Sequence, residues 1–517
     1  MRESCGVFGV YAPGRGVAQL TFDGLYALQH RGQESAGMAV SDGEGITVVK
    51  EMGLVTTVFD ERTLSCLPGH LAVGHTRYST TGDSNWRNAQ PAYRSVGGAG
   101  FALGHNGNLT NTEVLAEEAG MLPGVVASDS DLVAELIARR CGTESEEEDL
   151  ALRAGAGEGL EAERDGALEA ALRSVLPMVE GAFSFVLLDS RRLVGVRDPH
   201  GLRPLCLGWL APVEHEGSDA VPEGWVLASE SPALDVVGAT FVRELEPGEM
   251  VVIDSSGVRC EQLFDEARVE PRLCIFEFVY FARPDTRLYG REVHGARRRM
   301  GELLAAQAPV EADLVMGVPE SGVPAAEGFA RASGIPHGQG LVKNRYIGRT
   351  FITPGQDARS AGVRRKLNPL RENIAGKRLV VVDDSIVRGT TQRAVVRMLR
   401  EAGATEVHLR ISSPPLVWPC YYGIDIPDRE QLIAAGSSLA ELEGYLGVDS
   451  LAYLTLENLV TAIDAHGAGF CTACLTGEYP VAVPVAGQLG EAHVGTPTSA
   501  GARNAGQLGT APAIARA

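Results

Sequence analysis

The chain has 517 residues, 44% of them hydrophobic and 22% charged, with a net charge of −20 at pH 7 and nine cysteines. This length exceeds one typical hydrophobic core and predicts two domains, while the acidic balance argues against a nucleic-acid-binding surface, which needs a basic footprint. The sequence has no apolar run of about 18 residues for a membrane span, and its first residues lack a signal peptide's cleavage pattern. Because the cysteines are widely spread rather than arranged as a secreted disulfide framework, we expect a cytoplasmic enzyme.

Residues 5–255 contain many short, strand-like apolar runs that glycine and proline interrupt. In chain order these runs are GVFGVYA, GMAVS, ITVVKEMG, LAVGHTRYST, GFALGHNG, AFSFVLLD, LVGVRD, WVLASES and EMVVID. Between them, residues 19–30 and 131–140 have the periodicity of helices. The segment 143–165 is acidic and rich in alanine and glycine, which predicts a solvated insertion rather than part of a core.

Cys5 lies directly before the first of these strands, and a lone cysteine in that place is more often inert packing. Four further motifs favour a functional role: QHRGQESAG with Arg31, GHTRYSTTG with Arg77, GHNGNLTN with Asn106 and Gly107, and SDSD with Asp129. In this order they resemble the glutamine amidotransferase domains of the N-terminal-nucleophile class, which fold as an αββα sandwich. The resemblance assigns residues 5–255 to such a domain.

Glutamine hydrolysis needs a nucleophile, a base and an oxyanion stabiliser. The thiol of an N-terminal cysteine has a base in its own α-amine, which titrates near ~8. The resemblance implies Cys5 as nucleophile, Asn106 and the Gly107 N–H as oxyanion hole, and Arg31, Arg77 and Asp129 as glutamine ligands. Because residues 1–4 precede Cys5, it also implies a propeptide whose removal frees the amine. Taken singly, Arg77 or Asp129 would be interpreted as half of a surface ion pair.

From about residue 275 strands alternate with helices, which predicts a doubly wound parallel sheet. Apolar strands are expected at 314–318, 379–382 and 407–412. The second ends in Asp383 and Asp384, and after a polar turn the helix TQRAVVRMLREAG runs to Gly403. Paired acids here either cap the helix or bind ribose hydroxyls or a divalent cation. Because small and hydroxylic residues follow at once, at a helix start that favours anions, the sequence favours binding.

This stretch, RLVVVDDSIVRGTT, resembles the signature of type I phosphoribosyltransferases for 5-phosphoribosyl 1-diphosphate (PRPP). It is not a P-loop, because GxxxxGK[ST] is missing. The resemblance implies that Asp383 and Asp384 hold the ribose hydroxyls and the metal-bound substrate. The residues implied for the 5-phosphate are Ser385, Arg388, Gly389, Thr390 and Thr391.

Two further segments belong to the same predicted site. DLVMGVPESGVPAA places a turn after a strand, and the resemblance makes it the diphosphate loop, with Ser321 joining Asp383 and Asp384 at a magnesium ion. LVKNRYIGRTFITPGQDARSAGVRRKLNPL is basic within an acidic protein, and we expect Lys343, Arg349 and Lys366 to contact PRPP. A charge run is usually only a solvated face, but the local reversal of sign suits a lid over a diphosphate.

Four cysteines form the last constellation: Cys274, Cys420, Cys471 and Cys474. Only the last two are close in sequence, and C-x-x-C alone could be a redox pair, half of a zinc site or chance. Taken together, residues 5–483 resemble the amidophosphoribosyltransferase family. The four cysteines match its iron–sulfur branch, which implies a structural [4Fe–4S] cluster on four thiolates. The second domain is then expected at 256–484, followed by a disordered tail at 485–517.

The family resemblance implies a first step of purine biosynthesis in which glutamine and PRPP give 5-phosphoribosylamine, glutamate and diphosphate. Ammonia passes internally between the two sites, and a homotetramer inhibited by purine nucleotides is expected. Other N-terminal-cysteine amidotransferases, such as glucosamine-6-phosphate or asparagine synthases, would lack RLVVVDDSIVRGTT. A non-catalytic sensor of PRPP or nucleotides would lack the complete set of Cys5, Arg77, Asn106 and Asp129.

Overall fold

The computed structural model describes residues 5–78, 85–96, 99–121, 128–153, 166–212, 223–344, 366–424, 428–465 and 469–483. Their strands and helices form two units that follow one another along the chain. Among the described helices, none combines the length and the apolar character that crossing a membrane requires.

The first unit consists of two stacked antiparallel sheets. Its strands are β1 (Gly6–Tyr11), β2 (Ser35–Ser41), β3 (Ile46–Met52), β4 (Leu71–Arg77), β5 (Ala92–Val96), β6 (Ala99–Leu109), β7 (Gly181–Leu188), β8 (Leu193–Arg197), β9 (Cys206–Leu210), β10 (Gly224–Ala228), β11 (Thr240–Glu244), β12 (Glu249–Asp254) and β13 (Gly257–Gln262). One sheet has the order β11-β9-β10-β1-β4-β2-β3 and the other β13-β12-β8-β7-β6-β5. The second sheet therefore extends past residue 255, where the sequence placed the end of the domain.

Helices cover the outer face of each sheet. They are α1 (Val17–Ala27), α2 (Val55–Val58), α3 (Glu61–Ser65), α4 (Thr112–Glu118), α5 (Asp129–Arg153), α6 (Ala167–Val175) and α7 (Ser231–Val236), with short 3-10 turns at Trp86–Asn88 and Leu176–Met178. Three apolar layers result, because Val10 packs toward α1, Val7 lies between the sheets and Phe185 packs toward α5 and α6. This arrangement is the predicted αββα sandwich.

The helix α5 extends farther than its periodicity predicted. It continues through residues 143–153, the first part of the acidic segment, and ends at Arg153. The rest of the proposed insertion, 154–165, lies outside the described residues, as do residues 1–4 and the proposed tail.

The second unit is built on a parallel sheet. Its strands are β14 (Leu273–Cys274), β15 (Arg287–Leu288), β16 (Arg291–Glu292), β17 (Leu314–Gly317), β18 (Leu341–Lys343), β19 (Leu367–Pro369), β20 (Arg378–Asp383), β21 (Glu406–Ile411), β22 (Ser450–Tyr453) and β23 (Phe470–Cys471). Its helices are α8 (Val293–Gln307), α9 (Val323–Ser333), α10 (Arg371–Ile374), α11 (Thr390–Glu401), α12 (Leu439–Leu446), α13 (Leu456–Ile463) and α14 (Ala473–Thr476), with a π-helical turn at Glu277–Phe281 and 3-10 turns at Glu266–Arg268, Arg429–Gln431 and Ile433–Ala435.

The sheet order β17-β20-β21-β22 places β20 inside the sheet, with parallel neighbours on both sides. Val380 and Val382 pack toward α8 and α9, whereas Leu379 and Val381 pack toward α11 and α12. The apolar run predicted to be a strand is therefore buried on both faces, as in a doubly wound sheet. This topology brings the carboxyl end of β20, at Asp383, to an edge of the sheet where ligands bind in such folds.

Candidate active site

Cys5 sits at the start of β1, in the middle of the seven-stranded sheet. Its side chain is buried, with 8% of its surface exposed, and its Sγ lies 3.5 Å from the carbonyl oxygen of Tyr78. The next residue must be small, because a Cβ on Gly6 would lie 2.8 Å from Thr76 Oγ1 on the neighbouring strand. The strands therefore fix the thiol close to the end of β4.

A small polar cavity opens beside Cys5, between the two sheets. It is lined by Cys5, Arg77, Tyr78, Gln90, His105, Gly107, Ser128, Asp129 and Ser130. The sheets and the start of α5 thus bring four of the predicted residues, Cys5, Arg77, Gly107 and Asp129, to one place. Their roles toward glutamine stay predictions.

Asn106 and Gly107 lie on β6, opposite the seven-stranded sheet. Asn106 is fully buried, and neither atom of its side-chain amide has a hydrogen-bond partner within the described part of the chain. Such an orphaned amide is costly unless a ligand completes its bonds. Gly107 has a φ of +152°, and a Cβ there would lie 2.0 Å from the Ala182 carbonyl oxygen. These two features fit an oxyanion site.

The electrostatics of Cys5 bear on its reactivity. Burial raises the pKa of its thiol, and the Tyr78 carbonyl contact and the Arg77 charge oppose that shift only in part. A thiol in this environment is protonated at neutral pH and needs a base within reach. The α-amine that processing would create on the same residue meets that requirement.

Arg31 takes a different place from the one its predicted role suggests. It is almost fully buried and does not line the cavity, since its Nη2 lies 2.7 Å from Glu277 Oε1 and its Nη1 also pairs with Glu230. Its Nε donates to the carbonyl oxygen of Cys5 at 3.0 Å. The motif QHRGQESAG therefore places Arg31 near Cys5, as expected, but these contacts favour a role in holding Cys5 rather than in binding glutamine.

A second site lies where β20 ends. Asp384 Oδ2 accepts a hydrogen bond from Ser321 Oγ at 2.5 Å, and Asp383 Oδ2 accepts one from Gln392 Nε2 at 3.0 Å. Burial and then the neighbouring Asp384 carboxylate raise the pKa of Asp383 well above its ordinary value. Two adjacent buried carboxylates repel each other, so a cation or hydroxyl donors would stabilise them.

The turn after Asp384 leads into α11, as predicted. Gly389 has a φ of +69° and caps the helix, which begins at Thr390, one residue before the predicted start. The Nε of Arg388 is buried without a hydrogen-bond partner among the described residues. A helix N-terminus with an unsatisfied guanidinium N–H nearby suits a phosphate group.

The remaining predicted PRPP residues lie around this turn. Ser321 is brought to Asp384 because the Val318 N–H donates to the Val382 carbonyl at 2.8 Å. Lys343 Nζ lies 3.2 Å from Glu320 Oε2. The pairing of β18 with β19 brings Lys366 next to Asn344, whose N–H donates to the Lys366 carbonyl at 2.8 Å. Arg349 lies outside the described residues.

All four predicted cluster cysteines line one cavity. It is bounded by Leu202, Arg203, Cys274, Cys420, Tyr422, Ile424, Cys471, Ala473 and Cys474. β14 and β23 run parallel with Cys274 opposite Cys471, and the carbonyl of Cys474 accepts hydrogen bonds from Val417 and Trp418. The fold thus joins three cysteine segments that are far apart in sequence.

The donor set of this cavity is four thiols. Among the described residues, no group of three or more His, Cys, Asp or Glu side chains has the geometry of a single metal-ion site. Burial raises the pKa of Cys274 to about 12 and also raises the pKa values of the other three thiols. Thiolates in this cavity would need a cationic partner, and four thiolates are the usual ligand set of a [4Fe–4S] cluster.

Sequence reasoning missed two residues near these sites. Tyr280 of the second unit is half-buried, and burial and then the charges of Asp384 and Asp383 raise its pKa. His105 of the first unit lines the cavity beside Cys5, and its place beside Asn106 in GHNG could have indicated it. Its Nδ1 lies 3.0 Å from Ser130 Oγ and 3.6 Å from Asp129 Oδ2.

A glutaminase-type sandwich followed by a phosphoribosyl-binding sheet defines a class of two-domain glutamine-dependent transferases. Residues 291–412 match the family model described as phosphoribosyl transferase domain. The chain is 51% identical over 503 residues to the amidophosphoribosyltransferase of Mycobacterium tuberculosis, covering 95% of this chain and 89% of that protein.

Relatives outside the mycobacteria are also similar over most of their length. The Bacillus subtilis amidophosphoribosyltransferase is 42% identical over 490 residues, covering 93% of this chain and 95% of that protein. The solved structure of the B. subtilis glutamine PRPP amidotransferase complexed with ADP and GMP has a TM-score of 0.79 at 42% identity, with coverage of 93% and 98%. The chain therefore belongs to the amidophosphoribosyltransferase family, whose activity is the first committed step of purine biosynthesis.

Proposed function

We propose that the chain hydrolyses glutamine at Cys5 and transfers the ammonia, inside the protein, to PRPP bound at Asp383 and Asp384. In the processed chain the α-amine of Cys5 takes the thiol proton, and the thiolate attacks the glutamine amide carbon. Asn106 and the Gly107 N–H stabilise the oxyanion, and Arg77 and Asp129 orient the substrate. The protonated α-amine returns its proton to the leaving nitrogen, ammonia departs, and water hydrolyses the thioester to release glutamate and restore the thiol. The ammonia then displaces diphosphate from C1 of PRPP and forms 5-phosphoribosylamine.

The observation that carries this proposal is the direct contact between the second unit and the residues around Cys5. Asn108 Nδ2 donates to the Tyr421 carbonyl at 2.8 Å, and Glu277 of the second unit holds Arg31, which donates to the Cys5 carbonyl at 3.0 Å. Contact of this kind between the Cys5 site and the unit that carries Asp383 and Asp384 supports an internal route over diffusion through solvent. The direct test is to compare glutamine and ammonium chloride as nitrogen donors for 5-phosphoribosylamine formation, with free ammonia trapped in the medium. Glutamine-derived product that survives the trap supports internal transfer, and complete trapping contradicts it.

We propose magnesium as the ion bound with PRPP, held by Asp383, Asp384 and Ser321. Their oxygen atoms are the ligand type that magnesium prefers, and protein sites of this kind leave most positions to water and substrate phosphates. When bound, the ion would neutralise charge on the leaving diphosphate. Lys343, Arg349 and Lys366 are proposed to contact the same diphosphate.

We also propose a structural [4Fe–4S] cluster on Cys274, Cys420, Cys471 and Cys474. The anaerobically purified protein is expected to be brown and to contain about four irons and four acid-labile sulfides per chain. Serine in place of Cys471 should remove the cluster and lower the melting temperature, because ligation is coupled to folding. Cys66→Ser, at an exposed cysteine of the first unit, is the control that should keep both iron and stability. Stoichiometric zinc without sulfide would refute the cluster.

Glutaminase activity is expected to be low until PRPP binds. The second unit contacts the residues of the proposed oxyanion site. Asn108 Nδ2 donates to the Tyr421 carbonyl at 2.8 Å, and Gly423 packs so closely that a Cβ on it would lie 3.0 Å from the Gly107 carbonyl. PRPP can activate this site only by binding the active conformation more tightly than the inactive one.

The measurement is steady-state glutamine hydrolysis with and without magnesium PRPP. Lys366→Ala should weaken the activation by PRPP, whereas Lys377→Ala, at the opposite end of β20, should leave it intact. Equal rates with and without PRPP in the wild-type protein would exclude the coupling while leaving both site assignments standing.

Several broader features complete the proposal. Feedback inhibition by purine nucleotides is proposed because the B. subtilis relative is described in complex with ADP and GMP. We propose that the protein is a homotetramer. We also propose a cytoplasmic location, with which the free state of all nine cysteines in the described structure agrees. The rival function, a sensor without catalysis, is disfavoured by the coincidence of Cys5, Gly107 and the buried Asn106 amide at one site.

A further inference from the structure

A chain of buried charges crosses from the second unit to Cys5. Glu277, in the second unit, is fully buried and lies between two arginines of the first. Its Oε1 accepts from Arg31 Nη2 at 2.7 Å and its Oε2 from Arg31 Nη1 at 3.0 Å. Oε1 also lies 3.4 Å from Arg203 Nη1. The bidentate contact fixes the plane of the Arg31 guanidinium as well as its position.

The other edge of the same guanidinium reaches the nucleophile. Arg31 Nε donates to the carbonyl oxygen of Cys5 at 3.0 Å, and Glu230 of the first unit holds Nη1. Although burial opposes it, the charges of Glu277 and Glu230 raise the pKa of Arg31, so it stays a cation. The Nε, Nη1 and Nη2 atoms of Arg31 therefore all donate to buried acceptors. The two carboxylates hold the guanidinium in the position from which Nε reaches Cys5.

The segment that carries Glu277 is itself rigid. It is a π-helical turn, in which the Ala282 N–H donates to the Glu277 carbonyl at 3.1 Å, and Arg297 donates to the carbonyls of Phe278 and Ala282 at 2.8 Å each. The neighbouring Phe276 and Phe278 side chains are fully buried. π-helical turns are frequent at functional sites. Because Glu277 is held firmly by this turn, a shift of the second unit would move its carboxylate and with it the guanidinium of Arg31.

We propose that Glu277 is a positioning residue for Cys5, acting across the interface through Arg31. The inference rests on the proposed role of Cys5 as the glutaminase nucleophile. Glu277 touches neither substrate, so its loss would leave glutamine binding by Arg77 and Asp129 in place while displacing the attacking thiol. A displacement of about 1 Å at a nucleophile costs on the order of 10²-fold in rate.

The test compares Glu277→Gln with Glu169→Gln, a matched control. Glu169 is also buried and paired with arginines, at 3.1 Å from Arg259 and 3.2 Å from Arg173, but it lies on α6 at the outer face of the other sheet. Glu277→Gln should lower kcat for glutamine-dependent synthesis by roughly 10²-fold with little change in KM for glutamine. Ammonia-dependent synthesis should stay within about twofold of wild type. Glu169→Gln should leave both the glutamine-dependent and the ammonia-dependent activity unchanged.

A second variant keeps the proposal falsifiable if Glu277→Gln does not fold. Glu277→Asp retains the charge between the two arginines and shortens the side chain, so it should fold and show the same split between donors at smaller amplitude. Alkylation of Cys5 by iodoacetamide, followed by mass spectrometry of the N-terminal peptide, should change its rate and pH profile in the same variants. The proposal is overturned if both activities fall in parallel, or if neither changes. A wild-type protein that uses ammonia but not glutamine would instead overturn the proposed function.

Discussion

Replacing Cys5 by alanine is expected to abolish synthesis with glutamine and to leave synthesis with added ammonia close to the wild-type rate. The thiol lies in a cavity between the two sheets of the first unit, whereas Asp383 and Asp384 lie at the edge of a separate sheet. The two reactions therefore depend on different side chains. The measurement is 5-phosphoribosylamine formation with each nitrogen donor, at saturating magnesium PRPP.

The control for this experiment is Cys206→Ala. Cys206 is equally buried in the same sheet, and burial raises its pKa, but it lies on β9 away from the cavity. It should retain both activities. Because Cys5→Ala can also block removal of residues 1–4, its N-terminus must be checked by mass spectrometry. Loss of both activities in a folded, processed Cys5→Ala protein would contradict the two-site assignment.

The pH dependence of the glutamine reaction follows from the same geometry. Burial raises the pKa of the Cys5 thiol, so the thiolate is scarce at neutral pH and the proton must go to a base. The α-amine acts as a base only when unprotonated, and it titrates near ~8. Glutamine-dependent kcat/KM should therefore fall as pH drops below that value, with a slope of one proton. A flat profile from pH 6 to 9 would exclude the amine as the base.

The local sequence pattern predicted most of the fold, because apolar runs mark the strands and polar or glycine-containing turns mark where they end. The alternation of Val380 and Val382 with Leu379 and Val381 fills two cores at once, as is typical of a central strand in a parallel sheet. The acidic pair ends that strand where the polar turn begins, so β20 and the start of α11 were both predicted to within one residue. The four cysteines line one cavity, and only the resemblance grouped them, since their spacing in the sequence does not join them.

The contacts between the units could not be predicted in this way. Arg31 belongs to a motif of the glutaminase domain, but its partner Glu277 lies 246 residues farther along the chain. Glu277 stands in an apolar run, CIFEFVYFARPD, where one acid has no local signal. Only the three-dimensional structure shows that this carboxylate is buried between two arginines, and that the guanidinium it holds touches Cys5.

Asparagine in place of Asp383 is expected to depress synthesis by roughly 10²- to 10³-fold with either nitrogen donor. In the proposed mechanism both routes use the same PRPP, and the lost charge would face its bound metal ion. Asp384→Asn should behave alike, because Asp384 accepts the hydrogen bond from Ser321 that joins the two loops proposed to bind PRPP. The measurement is the ammonia-dependent rate as a function of magnesium PRPP.

Stability separates this role from a structural one. Burial and Asp384 raise the pKa of Asp383 in the folded protein, so the fold binds this proton more tightly than the unfolded chain. As pH rises above about 3.9, the pKa of an aspartate in the unfolded chain, ionisation of the buried pair lowers the free energy of unfolding. Asp383→Asn removes that repulsion, and the substrate-free variant should melt at the same temperature as wild type or higher at pH 7.

Asp313→Asn, at the opposite end of β20 where Asp313 pairs with Arg378, is the control that should retain activity. Unchanged ammonia-dependent kinetics in both Asp383→Asn and Asp384→Asn would refute the site, and a large drop in melting temperature with Asp383→Asn would assign the pair to the fold instead.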